Sequence, residues 1–154
     1  MTASIRRFTS SDTDAVDQIT SLAWEPVFAA WERILGPELV PIAISPDPRQ
    51  SQRELAKRLC HDEENVAWVS EVEGRVVAFV AYSLNGDTET GEVRILAVHP
   101  EYQNRGIGTD LNNFALQKMR EAGMKLAEVG TGGDDGHAPA RRCYEKAGYT
   151  GLPL

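Results

Sequence analysis

The segment from Gln103 to Thr109 constrains the fold of this chain more than any other. It reads Gln-Asn-Arg-Gly-Ile-Gly-Thr, and it lies between an apolar run at 95–98 and a stretch whose apolar residues recur at helical spacing. A strand, a glycine-rich turn and a helix are therefore predicted here. The first N–H groups of such a helix have no partner within it, and glycines let a ligand approach the backbone closely. The segment thus predicts a site for a phosphate group.

Two well-known phosphate-binding motifs do not fit this segment. A P-loop would end in Gly-Lys-Ser/Thr, which is absent, and Leu111 stands where a dinucleotide fingerprint has its third glycine. The remaining pattern is Gln-x-x-Gly-x-Gly after a strand. In it, Arg105 adds a full positive charge to the roughly half charge of the helix N-terminus. An ordinary turn is the alternative interpretation of the two glycines.

Length and composition predict one globular domain over residues 1–154. No apolar run approaches the roughly 20 residues that cross a bilayer, and the N-terminus lacks the apolar region of a secretion signal, so the sequence predicts a cytoplasmic protein with no membrane partner. A formal net charge of -7 disfavours nucleic acid and favours a cationic partner. The run 60–64 contains metal-ligand residue types without the spacing of a zinc site, and no metal is predicted.

Hydrophobic periodicity predicts an α/β protein with the element order β-α-α-β-β-β-α-β-α-β. In the first half, Ser11 or Asp12 caps a helix, Pro26 interrupts or restarts it, and a capping box at 51–54 opens another helix. Pro139 suits the first turn of the last helix, and Gly148 ends it. The predicted strands are 5–8, 66–72, 75–84, 92–98, a buried strand at 125–129 and a short one at 149–152.

A second motif at 137–149 reads His-Ala-Pro-Ala-Arg-Arg-Cys-Tyr-Glu-Lys-Ala-Gly-Tyr. In order and spacing, the two motifs together resemble the signature of the GNAT superfamily of acyl-CoA N-acyltransferases, most strongly over 92–149. The resemblance implies the GNAT fold, a mixed and mostly antiparallel sheet splayed at its fourth and fifth strands. Relatives carry one more strand, so the final strand is expected to be absent or supplied by a partner. The unpaired edge of a sheet can pair with a strand of a second copy, so a homodimer formed through the C-terminal end of the chain is a hypothesis.

The resemblance also implies acetyl-CoA as the acyl donor, bound without a metal. The pantetheine arm would pair with the backbone of strand 92–98, where the Leu96 N–H would stabilise the developing oxyanion. His137 replaces an asparagine that relatives often have at this position. The residues implied in cofactor binding are Leu96, Ala97, Val98, Gln103, Asn104, Arg105, Gly106, Ile107, Gly108, Thr109 and His137.

Two residues match catalytic positions of the family. Glu92 lies eleven residues before Gln103, where the histone-acetyltransferase branch has its catalytic glutamate, and would take the proton of the acceptor amine. The alternatives are a solvated glutamate and an ordered water as base. Tyr144 matches the tyrosine that the resemblance aims at the CoA sulfur as general acid. The alternative for this residue is an aromatic side chain packed in the core.

The early helices line the acceptor pocket in this family, and aromatic residues follow there at helical spacing. Trp24, Phe28 and Trp31 are therefore candidates for acceptor binding, with core or lid residues as the alternative. The resulting hypothesis is an acetyl-CoA-dependent N-acetyltransferase that moves an acetyl group to a primary amine of a small molecule, by direct transfer in a ternary complex. The alternatives are a protein or peptide amine as acceptor, an acyl group longer than acetyl, and a CoA-binding regulatory module without turnover.

Overall fold

A computed structural model describes residues 2–151 of the chain. The strands are β1 (Ser4–Arg7), β2 (Asn65–Val72), β3 (Arg75–Asn85), β4 (Thr90–Val98) and β5 (Leu126–Val129). The helices are α1 (Thr13–Ala23), α2 (Glu25–Leu35), α3 (Val40–Ala43), α4 (Pro48–His61), α5 (Ile107–Glu121) and α6 (Ala138–Lys146). Across residues 2–151, every helix is too short or too polar to cross a membrane.

The five strands form one sheet in the order β1-β2-β3-β4-β5. All neighbouring pairs are antiparallel except β4 and β5, which run parallel. Helices α1 and α4 cover one face, where Val16, Ile19 and Ala56 are almost completely buried, and α5 covers the other face with residues such as Leu111 and Ala115. The mixed, mostly antiparallel sheet predicted from the sequence is confirmed.

A β-bulge at Arg94 bends β4 and separates it from β5. Ile95 pairs with Ala81 of β3 and Val93 pairs with Tyr82, which leaves Arg94 as the extra residue. Beyond the bulge β4 has no partner on its outer side, because β5 pairs with it only from Thr90 to Val93. The predicted splay between the fourth and fifth strands is therefore present, and it exposes the backbone of 94–98 on one side.

The first half of the chain differs from the sequence prediction in two places. The capping box at 51–54 is wrong, because α4 already begins at Pro48, and the carboxylate of Asp47 accepts a hydrogen bond from the N–H of Gln50 at 3.1 Å. An aspartate cap followed by proline in the first turn satisfies the free N–H groups earlier than Ser51 could. The short helix α3 was not predicted. Pro26 does restart the helix, since α2 begins at Glu25.

The C-terminal part also differs from its prediction. The strand at 125–129 is not buried, because β5 lies at the edge of the sheet and Leu126 is 54% exposed. Residues 149–151 form no strand, and Leu152 lies outside the described residues. Here the backbone closes α6 instead, since the N–H groups of Gly148 and Tyr149 donate to the carbonyls of Glu145 and Tyr144.

An ion cluster joins β1, the turn before α1 and β2. Both terminal nitrogens of Arg6 donate to the carboxylate of Asp12 at 2.8 Å, Nε donates to Glu71 at 2.7 Å, and the N–H of Thr9 also donates to Asp12 at 2.8 Å. The Asp12 side chain is only 5% exposed. The hydrogen bonds from Arg6 lower the pKa of Asp12, although burial acts in the opposite direction. This pair therefore contributes stability above the unfolded-chain pKa of about 3.9, and loses it as the pH falls through the lower folded value.

We expect Arg6→Met to lower the free energy of unfolding at pH 7 by about 2 kcal/mol, because it leaves a buried carboxylate without its main partner while the lost side chain is itself partly exposed. The loss relative to the parent should shrink as the pH falls below about 4 towards the lowered pKa of Asp12, because the carboxylate becomes protonated there. Urea unfolding at several pH values measures this, with Arg120→Met as the control at an exposed arginine. An equal loss at every pH would assign the effect to packing of the Arg6 stem.

Candidate active site

A cleft of about 520 Å³ lies where β4 and β5 part. Its walls come from the end of β4 at Leu96–Val98, the glycine turn before α5, the start of α6, and the α1–α2 junction with Trp24. Gly136 and His137, which belong to the 3₁₀ turn 135–137 before α6, close the end next to α2. The cleft is therefore built by elements that both sequence motifs position.

Free backbone donors line the β4 side of the cleft. The N–H of His99 donates to the carbonyl of Val77 in β3 at 2.8 Å. Successive N–H groups of a strand point in opposite directions, so those of Ala97 and His99 face β3 while those of Leu96 and Val98 face the open side. The Leu96 N–H, predicted as the oxyanion donor, thus points to the side where β4 has no neighbouring strand.

The glycine turn forms the N-terminal end of α5. Gly106 has a φ of +84°, which residues with a side chain rarely adopt, and it is followed by the first helical residue, Ile107. Gly108 is needed for packing, because a Cβ there would lie 3.2 Å from the Val98 side chain. The side-chain amide of Gln103 donates to the carbonyl of Val98 at 3.0 Å and so ties the turn to β4.

The cationic side chains that line the cleft do not include Arg105, the cation that the sequence indicated. Arg105 does not line the cleft, since its guanidinium lies 5.2 Å from the centre of the Tyr102 ring. Its neighbours Asn104 and Gly106 do line the cleft. Two cations of α6, Arg142 and Lys146, line the cleft together with Gln103, Asn104 and Thr109. Sequence reasoning missed both, although their spacing of four residues places them on one face of a helix.

His137 lines the cleft with its ring orientation held by Asp134. The Nδ1 of His137 lies 2.6 Å from a carboxylate oxygen of Asp134, and the two side chains are 19% and 10% exposed. Burial acts to raise the pKa of Asp134, but the hydrogen bond and charge of His137 outweigh it and the pKa is lowered. Arg141 donates to the carbonyls of Gly132 and Asp134 and holds the same loop. His137, predicted as a cofactor contact, therefore belongs to a wall of the cleft whose loop is held by several hydrogen bonds.

Tyr144 is 8% exposed and does not line the cleft, whereas the adjacent Cys143 does. Its ring packs edge to face on Tyr149, with 5.7 Å between the ring centres. Burial raises the pKa of the Tyr144 phenol, which is protonated at neutral pH, as a general acid must be. The structure thus places the tyrosine beside the cleft wall in a packed environment.

Glu92 lies on the opposite face of β4 from Leu96. It lines a second, open cavity of about 1080 Å³ that adjoins β4 from Thr90 to Arg94. Glu92 is paired in register with Glu128 of β5, and its carboxylate lies 3.6 Å from the guanidinium of Arg94. The carboxylates lining this acidic cavity are those of Asp62, Glu64, Asp87, Glu92 and Glu128. Sequence reasoning singled out Glu92 alone and missed the four others.

The three aromatic candidates for acceptor binding occupy different environments. Trp24 lines the cleft at the α1–α2 junction. Phe28 is 2% exposed and packs between Trp31, with 5.9 Å between ring centres, and the guanidinium of Arg49 at 5.3 Å. Phe28 and Trp31 line neither of the two cavities. The structure thus brings Trp24 into the site, whereas it makes Phe28 a core residue and places Trp31 against it.

The cleft fits a long ligand with amide groups along one part and phosphates at one end. Free N–H groups of an open strand can pair with the amides, and the helix N-terminus with nearby cations suits the phosphates. Within residues 2–151, no group of three or more His, Cys, Asp or Glu side chains could hold a metal ion. Acetyl-CoA has this shape and these groups.

Comparisons with known proteins agree with this geometry. The model of the Acetyltransferase (GNAT) family matches residues 18–149. A mycothiol acetyltransferase of Beutenbergia cavernae is 39% identical over 64 residues, which are 42% of this chain and 21% of that protein. An uncharacterized N-acetyltransferase of Methanocaldococcus jannaschii is 31% identical over 98 residues, which are 60% of this chain and 42% of that protein. The chain thus spans less than half the length of these curated relatives.

The fold is also shared with solved structures. The PaiA N-acetyltransferase of Thermoplasma acidophilum, solved in complex with coenzyme A, superposes with a TM-score of 0.71 at 16% identity, over 97% of this chain and 91% of that one. This likeness concerns the fold, whereas the family match rests on the sequence over most of the chain. The chain therefore belongs to the GNAT family of acetyltransferases.

Proposed function

We propose that this protein is an N-acetyltransferase that transfers an acetyl group from acetyl-CoA directly to a primary amine in a ternary complex. The observation that carries the proposal is the unpaired outer edge of β4 at Leu96–Val98, which leads into the glycine turn at the start of α5. Family membership supports it. The acidic cavity beside β4 supports a small cationic amine as the acceptor.

Different residues of the cleft would bind different parts of acetyl-CoA. The backbone of Gly106–Thr109 would hold the phosphates, the N–H groups of Leu96 and Val98 would pair with the pantetheine amides, and His137 would form the opposite wall. Bound acetyl-CoA supplies the acetyl group as a thioester. Trp24 would cover the acetyl end, because it lines the cleft at the α1–α2 junction.

The acceptor would enter from the acidic cavity. This cavity adjoins β4 as far as Arg94, and the cleft adjoins the next stretch of β4, which begins at Leu96. Five carboxylates around it attract an ammonium group, and its volume of about 1080 Å³ is enough for a small molecule. Glu92 and Glu128 lie next to each other at the point where the strands part. The acetyl group would lie near this end of the cavity.

Proton transfer would involve three groups of this chain. Glu92 accepts the proton of the acceptor ammonium, directly or through water, and frees the nitrogen lone pair to form the new C–N bond. The Leu96 N–H donates to the carbonyl oxygen as charge develops on it. Tyr144 gives a proton to the sulfur as the C–S bond breaks, and the second proton leaving the nitrogen restores the phenol. The products are the acetylated amine and CoA with a free thiol.

A panel of amines incubated with acetyl-CoA, with detection of free thiol, tests the proposal. Amines with a second positive charge should show a kcat/KM roughly tenfold above neutral-tailed amines of equal length, since the acidic cavity holds the extra charge. Glu92→Gln should lower that kcat/KM roughly tenfold, with partial recovery at high pH where more of the amine is already neutral. Glu63→Gln, at an exposed glutamate outside the cavity lining, is the matched control.

The same assay separates the alternatives. Binding of acetyl-CoA without thiol release from any amine would support a CoA-binding module and contradict the proposed turnover. Wild-type rates in Glu92→Gln would leave ordered water as the proton acceptor. The homodimer and the cytoplasmic location stay predictions. A second copy would pair at the outer edge of β5, the last strand of the sheet within residues 2–151.

A further inference from the structure

We infer that Arg142 and Lys146 of α6, rather than Arg105, supply the side-chain charges that bind the phosphate groups of CoA. This inference rests on the proposed function, because it assigns residues to the donor cleft. The ligand chemistry is a phosphate anion, which CoA carries both in its pyrophosphate and on its ribose.

The position of α6 puts these two cations at the phosphate end of the cleft. Cys143, adjacent to Arg142, lies with its sulfur 3.9 Å from the Thr109 hydroxyl and 4.0 Å from where a Cβ of Gly108 would be. The glycine turn and this part of α6 are therefore in contact. His137 lies five residues before Arg142, about 8 Å away along the chain at the helical rise, towards α2 and Trp24. The cations thus flank the phosphate site and stand away from the acetyl end.

The two cations are available for a ligand. Both are exposed, both line the cleft, and neither forms an ion pair with another residue of 2–151, whereas Arg33, Arg94 and Lys118 each have a carboxylate within 4.0 Å. Lys146 also acts electrostatically on the half-buried Cys143, which places its charge near that part of the wall. In a chain of net charge -7, two adjacent unpaired cations on a cleft wall favour an anionic ligand.

Arg105 is engaged elsewhere. Two guanidinium groups lie over the Tyr102 ring, Arg105 at 5.2 Å and Arg75 at 5.6 Å from its centre. The Tyr102 ring also packs edge to face on the buried His99, at 5.8 Å between ring centres. Cation–π contact with this ring stabilises Arg105 in a position that does not line the cleft. Its charge therefore contributes less to the ligand than its place in the motif suggests.

Calorimetric titration of the whole protein with CoA, dephospho-CoA and pantetheine tests the inference. We expect Arg142→Gln to weaken CoA binding about tenfold and Lys146→Gln about threefold, because the second loses one point charge and the first a bidentate donor. The effect should shrink as salt is added. Pantetheine binding should not change. If the variants also bind dephospho-CoA more weakly than the parent does, the cations bind the pyrophosphate. If the variants and the parent bind dephospho-CoA equally well, the cations bind the ribose phosphate.

Two control variants make the test specific. Arg120→Gln removes an exposed arginine of α5 that lies outside the cleft lining, and it should leave binding unchanged. Arg105→Gln should weaken binding less than Arg142→Gln. Two results would overturn this inference without affecting the proposed function. In the first, Arg142→Gln and Lys146→Gln weaken CoA binding no more than Arg120→Gln does. In the second, they weaken the binding of pantetheine as much as that of CoA. Failure of the parent protein to bind CoA would overturn the proposed function as well.

Discussion

Tyr144→Phe is expected to lower kcat on the order of 10²-fold, while the affinity for acetyl-CoA stays nearly unchanged. In the proposed scheme the hydroxyl gives a proton to the leaving sulfur in the transition state, and so its removal should affect turnover more than binding. Burial raises the pKa of this phenol, and a phenylalanine ring keeps the packing against Tyr149. Steady-state kinetics with the best amine of the panel, together with calorimetric titration of acetyl-CoA, measure the two quantities.

Tyr149→Phe is the matched control. The Tyr149 hydroxyl is buried without a hydrogen-bond partner, and the proposed scheme assigns no proton transfer to it. Its removal should leave kcat unchanged and should not weaken the fold. Equal rates in Tyr144→Phe and the parent protein would show that Tyr144 is the packed aromatic that its 8% exposure suggests.

Local sequence patterns were sufficient for most of the fold near the site. The breaks between the strands β2, β3 and β4, the apolar run of β4 and the glycines before α5 are short-range signals, and each lies close to its predicted position. Pro139 and Gly148 likewise bound α6. These elements carry the cleft backbone, and so the sequence alone predicts the glycine turn, while Leu96 is indicated only by the resemblance to the family.

The bulge at Arg94 explains why the position of Glu92 is harder to predict from the sequence. With strict alternation along β4, Glu92 and Leu96 would share a face. The extra residue reverses the alternation, so that Val93 and Leu96 both pack towards α5 while Ile95 packs on the α1 face. Glu92 consequently faces the acidic cavity. A bulge depends on pairing with β3 and has no clear local signal, which is why the sequence could not reveal it.

The sequence also could not predict which side chains are exposed and which charged side chains have partners. Phe28 and Trp24 have the same helical spacing signal, yet one is buried and the other lines the cleft. Arg105 and Arg142 both lie within motifs, and only tertiary contacts decide that the first lies against the Tyr102 ring while the second lines the cleft. Such choices follow from packing between distant segments, which periodicity does not encode.

Gly136→Ala is expected to lower kcat/KM on the order of 10²-fold, although the residue carries no chemical group. A Cβ at position 136 would lie 2.7 Å from Val27 Cα and 2.8 Å from both the Val27 nitrogen and the Pro26 carbonyl oxygen. These are backbone atoms at the start of α2, and they cannot rotate away as a flexible side chain could. Relief to ordinary van der Waals distance requires a shift of about 1 Å between the 3₁₀ turn and α2.

That shift changes the site because both segments line the cleft. The turn carries His137, and the start of α2 adjoins Trp24, so a displacement of about 1 Å misplaces both walls of the acetyl end, which can cost about 10²-fold in rate. The overpacking should also lower the free energy of unfolding by about 1 to 3 kcal/mol, as urea unfolding would measure. Gly133→Ala is the control, since a Cβ there meets no atom within 4 Å. A Gly136→Ala variant with parental kcat/KM would mean that the contact between the turn and α2 does not shape the cleft.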